Sequence, residues 1–315
     1  MRTLIVGGAG FIGSHLCDAL LRDGHSVACM DNLSLGTAQN ISHLLLQKNF
    51  TFYQLDAAVP EDLESIFSKE KIDYVFHLAA NSDIQASSEK PEVEYRNTYT
   101  TTFNILYFMK KYSIKNLFFA STSAVYGDKR DTDLSENTPG LSPISYYGAA
   151  KLGSEALISA YTYMNDMSSL IFRFPNVIGP RLTHGVIFDF IDKLNKNNTE
   201  LRILGDGRQS KPYIYVSDLV DAIMQFMNIG KQGTEIYNIG VEGETCVTKI
   251  ADFLCEEMRL NDVVYQYTGG EGGWKGDVPR FSYCLDKIHM AGWEAKYSSD
   301  EAVKKTIQEV VKERK

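Results

Sequence analysis

The sequence predicts an α/β fold: a doubly wound parallel sheet of Rossmann type, with a second, smaller α/β lobe. Three observations predict it. Short, continuous apolar runs alternate with longer stretches of helical period through the first half of the chain. A glycine cluster stands at the first strand-to-helix turn. After about residue 173 the alternation breaks, and Gly, Pro and Asn become frequent. Apolar runs that are continuous belong to strands covered on both faces, as in a parallel sheet with helices on each side.

The strands are expected at TLIV (3–6), SVACM (26–30), FTFYQL (50–55), YVFHLA (74–79), NLFFAS (116–121) and SLIFRF (169–174). Helical patterns lie between them, at 12–22 and 95–111. The aromatic residues of 95–108 recur at helical spacing, which suits a helix core or a dimer face. Loop-rich segments follow at 173–181, 195–200 and 204–212. A strand-helix pair is expected at 214–227, and an amphipathic terminal helix from about residue 299. Residues 1–172 plus 213–240 are therefore assigned to the sheet domain, and 173–212 plus 241–315 to the second lobe.

Of the 315 residues, 44% are hydrophobic and 23% charged, as in ordinary globular domains. The formal net charge of -8 disfavours broad nucleic-acid binding, which needs a basic face. The five cysteines are scattered without a CxxC, which suits a reducing, cytoplasmic setting. The apolar run in MRTLIVGGAG is too short for a signal peptide and leads directly into the glycine turn. No apolar run approaches membrane-spanning length. The six histidines show no metal-ligand spacing, so no metal site is expected, and His77, ending a buried strand, reads as structural.

LIVGGAGFIGSHL fits G-x-G-x-x-G through Gly8, Gly10 and Gly13, and G-x-x-G-x-x-G through Gly7, Gly10 and Gly13. Either spacing lets the chain turn tightly and a pyrophosphate approach the backbone at a helix N-terminus. Asp31 ends the second strand, where a carboxylate accepts hydrogen bonds from ribose hydroxyls and repels a 2′-phosphate. Strand, glycine turn, helix and acid together point to NAD rather than NADP. Asp56, ending the third strand, is the next candidate, near the adenine.

YYGAAK (146–151) raises a question of choice. Residues four apart share a helix face, so Tyr147 can meet Lys151 and Tyr146 cannot. A free phenol has a pKa of about 10; an ammonium beside it and a helix N-terminus both favour phenolate. FFASTSAVYG (118–127) ends the fifth strand, at the sheet edge that faces ligands in doubly wound folds. Ser121, Thr122 and Ser123 all qualify there, on chemistry alone, as the hydroxyl that holds a substrate alcohol or carbonyl.

GGAGFIG (7–13), DNLS (31–34), HLAA (77–80), STSAVYG (121–127), YGAAK (147–151), RFPNVIGP (173–180) and YVSDLVDA (215–222), in this order, resemble the extended short-chain dehydrogenase/reductase family. Within it the chain is similar to NAD-dependent nucleotide-sugar epimerases and dehydratases over nearly its whole length. The resemblance implies Tyr147 as acid/base, Lys151 as its pKa-lowering and ribose-binding partner, and Thr122 as the aligned hydroxyl. It implies NAD held by Gly7, Gly10, Phe11, Ile12, Gly13, Asp31, Asn32, Asp56, Ala57, Leu78, Ala79, Ala80, Asn97, Tyr147, Lys151 and Pro175. It implies a nucleotide-sugar substrate, a UDP-hexose by this likeness, met by Ser87, Thr122, Tyr147, Asn176, Lys211 and Arg280. The sheet domain is then the NAD-binding domain and the second lobe the nucleotide-sugar-binding one.

The chain departs from the family pattern at informative positions. Dehydratases carry an Asp-Glu pair after the hydroxyl residue, and decarboxylases a glutamate at the second of those places; here they are Ser123 and Ala124. That leaves a single alcohol-oxidising set, sufficient for epimerisation at C4 through a transient 4-keto sugar. The family's phosphate-binding arginine is Lys211, Pro212 replaces the following aspartate, and a second arginine is Gly272, with Lys275 or Arg280 as substitutes. Phe281 aligns with a position that limits the C2 substituent. The resemblance further implies a homodimer through the helices at 95–111 and 147–165. The alternatives are a net reductase of a 4-keto nucleotide sugar and a non-catalytic NAD-binding sensor on the same fold.

Overall fold

The computed structural model describes residues 1–81, 87–130, 132–227, 232–273 and 276–314. Lys275 lies outside the described residues. The chain divides into two compact units. The first comprises Met1–Val125, Leu141–Arg173 and Val220–Tyr237; the second comprises Tyr126–Gly140, Phe174–Leu219 and Asn238–Lys315.

The first unit is built on β1 (Arg2–Val6), β2 (Ser26–Met30), β3 (Phe50–Tyr53), β4 (Tyr74–His77) and β5 (Asn116–Thr122). These five pair in parallel in the spatial order β3-β2-β1-β4-β5. The strands Ser168–Phe174 and Gly233–Asn238 complete a seven-stranded sheet beyond β5. The order reverses direction between β1 and β4, which is where an open α/β sheet leaves a crevice at its carboxyl edge. The helices are α1 (Phe11–Arg22), α2 (Pro60–Phe67), α3 (Thr101–Lys111) and α4 (Tyr146–Met164). One apolar cluster joins sheet and helices through residues such as Leu4, Val75, Phe119, Leu63, Ile105 and Ile158.

All six expected strands are present within two residues of the predicted ends. The seventh, Gly233–Asn238, was not predicted; its Tyr237 packs edge-on against Phe172 at 6.2 Å. The helix expected at 95–111 divides. A helical turn, Pro91–Glu94, leads into a π-helical stretch, Tyr95–Thr100, and only then into α3.

The second unit is assembled from short strand pairs: Asn176–Ile178 with Tyr213–Tyr215, Glu200–Ile203 with Val264–Tyr267, Ser210–Lys211 with Thr245–Cys246, and Asp133–Leu134 with Ser282–Tyr283. Three helices pack in series: Val186–Lys196 on Val247–Met258, and that on Ser299–Glu313. A capping box from Ser298 and Glu301 starts the last helix.

The unit boundaries differ from those the sequence suggests. Tyr126–Gly140 lies with the second unit because Asp133–Leu134 pairs with Ser282–Tyr283 there, and Tyr126 Oη donates to Asn238 Oδ1 at 2.7 Å. Residues 213–219 lie there as well, because Tyr213–Tyr215 pairs with Asn176–Ile178.

Candidate active site

The glycine turn is fixed first by packing. Gly7 has a φ of +87°, which favours glycine, and a Cβ there would stand 2.7 Å from Ala79 N. A Cβ on Gly13 would meet Gly7 O at 2.1 Å, and one on Gly8 would meet Cys29 Sγ at 2.5 Å. Gly7 N and Gly8 N both donate to Met30 O, at 2.8 and 3.2 Å, and tie the turn to β2. Gly10 differs: a Cβ there would find only Gly7 O, at 3.2 Å, and otherwise open space. Gly10 is also the N-cap of α1, with no side-chain cap and no acidic residue in the first turn. Three glycines therefore close the turn, and the fourth leaves the helix N-terminus open to an anion. Phe11 and Ile12, half-buried, begin that helix.

The acids flank this turn. Asp31 is buried, with Oδ2 accepting from Ala9 N at 3.0 Å and Oδ1 from Leu33 N at 2.8 Å. Burial pushes its carboxyl up, and those N–H donors oppose the shift. Each oxygen keeps acceptor capacity for a further donor. Asp56 accepts from Ala58 N at 2.9 Å and from Arg96 Nη2 at 2.8 Å. Burial works against its charge, but the Ala58 N–H and the Arg96 guanidinium prevail and hold it below the usual carboxylate range. Asn32 also donates towards Asp56, while Asn97 Oδ1 accepts from Arg96 Nη1 at 2.9 Å. Asn97 thus joins Asp56 through Arg96. Ala57 is buried beside Asp56, its carbonyl accepting from Asn104 Nδ2 at 3.1 Å. Leu78, Ala79 and Ala80 continue β4, with Leu78 N donating to Val6 O at 2.9 Å.

These features pass a chemical test for NAD. The donor set is an uncapped helix N-terminus for the pyrophosphate and a carboxylate at the end of β2 for the ribose.

The second constellation gathers at the start of α4. Ser145 caps the helix, its Oγ accepting from Gly148 N at 3.1 Å. Tyr146 turns outward and is 53% exposed. Tyr147 is half-buried, with its phenol end enclosed and in hydrogen-bonding reach of the Thr122 hydroxyl. Gly148 makes that approach possible: a Cβ there would stand 2.6 Å from Ala124 O, in the turn Ser123–Tyr126 that follows β5. One turn on, Lys151 is 1% exposed. Its Nζ donates to Ala120 O at 2.6 Å, lies 4.5 Å from the centre of the Phe119 ring and 5.9 Å from that of Tyr147. Of the three hydroxyls considered, Thr122 stands by Tyr147. Ser121 instead bonds Glu155, which also binds Arg173 Nη2 at 2.6 Å, all three buried.

The electrostatics run opposite to the expectation for Tyr147. Burial, with the carboxylate of Glu94, pushes its phenol well above the usual value, and Thr122 only partly offsets them. Burial lowers Lys151 to about 7, although Glu94 and Glu155 both act to raise it. Spacing alone could not show this, because the enclosure comes from β5 and from Glu94. His77 is held neutral by burial and by Lys151, and its Nε2 bonds Thr102 Oγ1 at 2.9 Å, as suits a structural residue. Glu94, Gly148 and Glu155 were not picked out from the sequence. Glu94 sits in the charged stretch PEVEYR, which reads as solvent-facing.

Ser87 is buried at the edge of the described residues, its carbonyl accepting from Lys90 N at 3.1 Å. The remaining substrate candidates belong to the second unit. Pro175 is buried, and Asn176 follows it, exposed, opposite Tyr213 and in hydrogen-bonding reach of that phenol. Lys211 is not a free cation: its Nζ donates to Asp277 Oδ1 at 2.5 Å, and Asp277 Oδ2 accepts from Gly273 N at 3.2 Å. Arg280 is exposed, donates to Arg208 O at 3.3 Å and feels the carboxylate of Glu244. Phe281 is buried, its ring 5.4 Å from that of Tyr283. Among the described residues no cluster of His, Cys, Asp or Glu could hold a metal ion.

A parallel α/β sheet with an open glycine turn and a Thr–Tyr–Lys set beside it defines a dinucleotide-dependent enzyme class. The chain belongs to the NAD-dependent epimerase/dehydratase family, whose model matches residues 3–240. A putative UDP-glucose 4-epimerase of Methanocaldococcus jannaschii is 32% identical over 96% of this chain and 96% of its own. A human dTDP-D-glucose 4,6-dehydratase is 30% identical over 98% of this chain and 89% of its own. The solved structure of a Thermotoga maritima UDP-glucose 4-epimerase with UDP-glucose superposes with a TM-score of 0.89 at 31% identity, covering 100% of both chains. NAD is the cofactor of this family. Among the described residues no helix is long and apolar enough to cross a membrane.

Proposed function

We propose that the protein is a nucleotide-sugar 4-epimerase acting on a UDP-hexose of the glucose/galactose type. One observation carries the choice. Thr122, Tyr147 and Lys151 form a complete alcohol-oxidising set, while the two residues after Thr122 are Ser123 and Ala124. Elimination of water needs an acid and a base at neighbouring carbons, and these side chains supply neither.

NAD, when bound, supplies the hydride acceptor in one half of the cycle, the donor in the other, and a positive charge in its oxidised form. Gly10 and the first turn of α1 are the groups to hold its pyrophosphate, and Asp31 its ribose. Thr122 places the 4-hydroxyl of the sugar against Tyr147. Tyr147 Oη takes the hydroxyl proton as the C4 hydrogen leaves, and returns a proton to the 4-keto oxygen after the sugar has turned over. Lys151 in its charged form favours the phenolate that the first step needs. The high phenol pKa suits the second step, protonation of a ketone. For that reason a net reductase of a 4-keto nucleotide sugar is the second reading.

Exposed Tyr95, Phe103, Tyr107, Tyr163 and Met164 on the helices 95–111 and 146–164 support a homodimer through these faces, testable by light scattering. For the activity, purified protein is given UDP-glucose, UDP-N-acetylglucosamine and UDP-glucuronate. At least one is expected to equilibrate with its 4-epimer without net change in NADH. Silence across the panel refutes the epimerase, and stoichiometric loss of NAD(P)H with a 4-keto sugar establishes the reductase.

A further inference from the structure

Glu94 is a buried carboxylate that the mechanism above does not use. It ends the turn Pro91–Glu94, and the backbone opens into the π-helical stretch Tyr95–Thr100 directly after it. Its side chain points inward, leaving the residue 1% exposed. Oε1 accepts from Asn81 Nδ2 at 2.8 Å and Oε2 accepts from Thr98 Oγ1 at 2.9 Å. Both neighbours donate, so both oxygens are held as acceptors, the form an ionised carboxylate takes. Burying such a charge is costly unless something nearby profits from it. Among the described residues no lysine or arginine makes a direct ion pair with it. Both the turn and the π-helical stretch pack on α4, the helix of Tyr147 and Lys151.

We propose, resting on the reading of Tyr147 and Lys151 as the proton-transfer pair, that Glu94 is a positioning residue for their protons. Its fixed negative charge favours the ammonium of the enclosed Lys151 and raises the proton affinity of the Tyr147 phenolate, which takes the substrate proton. The field of Glu94 reaches both groups and favours the protonated form of each. Lys151 is the sensitive one, because burial has already brought it to about 7. Without Glu94 a smaller share of it is charged at physiological pH, and the phenolate loses part of its nearest support.

Among the described residues, three further charged or titratable groups near the pair are engaged elsewhere. Glu155, on α4, also favours the ammonium but is engaged by Arg173 and Ser121. His77, on β4, is neutral and bonded to Thr102. Arg96, on the π-helical stretch, is turned to Asp56.

The test titrates Lys151 in the full chain by NMR of ¹³Cε-labelled lysine, with the Lys151 resonance assigned by its loss in Lys151→Met. The wild-type midpoint is expected near 7. In Glu94→Gln it is expected to fall by about half a pH unit or more, and in Glu94→Asp by a smaller step. An unchanged midpoint in folded Glu94→Gln overturns the proposal. If Glu94→Gln does not fold, Glu94→Asp decides: it draws the charge back by one methylene, and an unmoved midpoint there overturns the proposal equally. The titration uses no substrate, so its outcome is separate from that of the sugar panel.

Discussion

The start of α4 and the strand pair around Lys211 use charge in opposite ways. Lys151 is enclosed, bonded to a main-chain carbonyl, and set by carboxylates that do not touch it. Lys211 is partly exposed and locked in direct contact with Asp277. In the first region the ammonium stays available to a neighbour, and its proton affinity is held close to neutral pH. In the second the lysine's charge is already answered by a carboxylate, and under the proposed function a phosphate would have to compete for it. In the first region proton affinity is set by packing, whereas in the second the charge is met by one direct ion pair.

Removing the acid/base should break the first region outright. Tyr147→Phe is expected to lower kcat by about 10²- to 10⁴-fold while leaving the fold intact, read by turnover and circular dichroism. Gly148→Ala comes next. Its new methyl would press on Ala124 O, so the helix must move away from Thr122. A loss of about 1–3 kcal/mol in stability is expected by denaturant titration, with a fall in kcat beyond what folding explains. Gly10→Ala is milder. Its fold should survive, because the new methyl would press on a single atom, Gly7 O at 3.2 Å, while NADH binding by fluorescence weakens. The smallest effect belongs to the second region. Asp277→Asn frees Lys211 for phosphate, and KM for the nucleotide sugar is expected to fall by about threefold, with kcat unchanged.

What the sequence made legible follows the same division. The six parallel strands, the glycine turn and the choice of Tyr147 over Tyr146 all rest on local spacing, which a single chain displays. Glu94 was hidden because its stretch is charged and the expected helix was regular. The π-helical stretch after it is a tertiary outcome, and so is the depth at which Glu94 is buried. The rise of the Tyr147 pKa was hidden for the same reason: the spacing to Lys151 is local, but enclosure is not. Asp277 lies 66 residues beyond Lys211 and carries no motif, so the pair that answers that charge could not be read from order alone. The excursion Tyr126–Gly140 was assigned to the wrong unit because two-residue strands such as Asp133–Leu134 leave no periodic trace.

The central claim is that one carbon is oxidised and re-reduced by a single proton-transfer set. It is tested most directly with nucleotide sugars of the panel carrying deuterium at C4, incubated with the purified protein and followed by NMR. The account predicts that a 4-epimer forms with the deuterium still on C4 and without net consumption of NADH. A 4-epimer with hydrogen from solvent at C4, a 4-keto-6-deoxy product, or no product at all would contradict it.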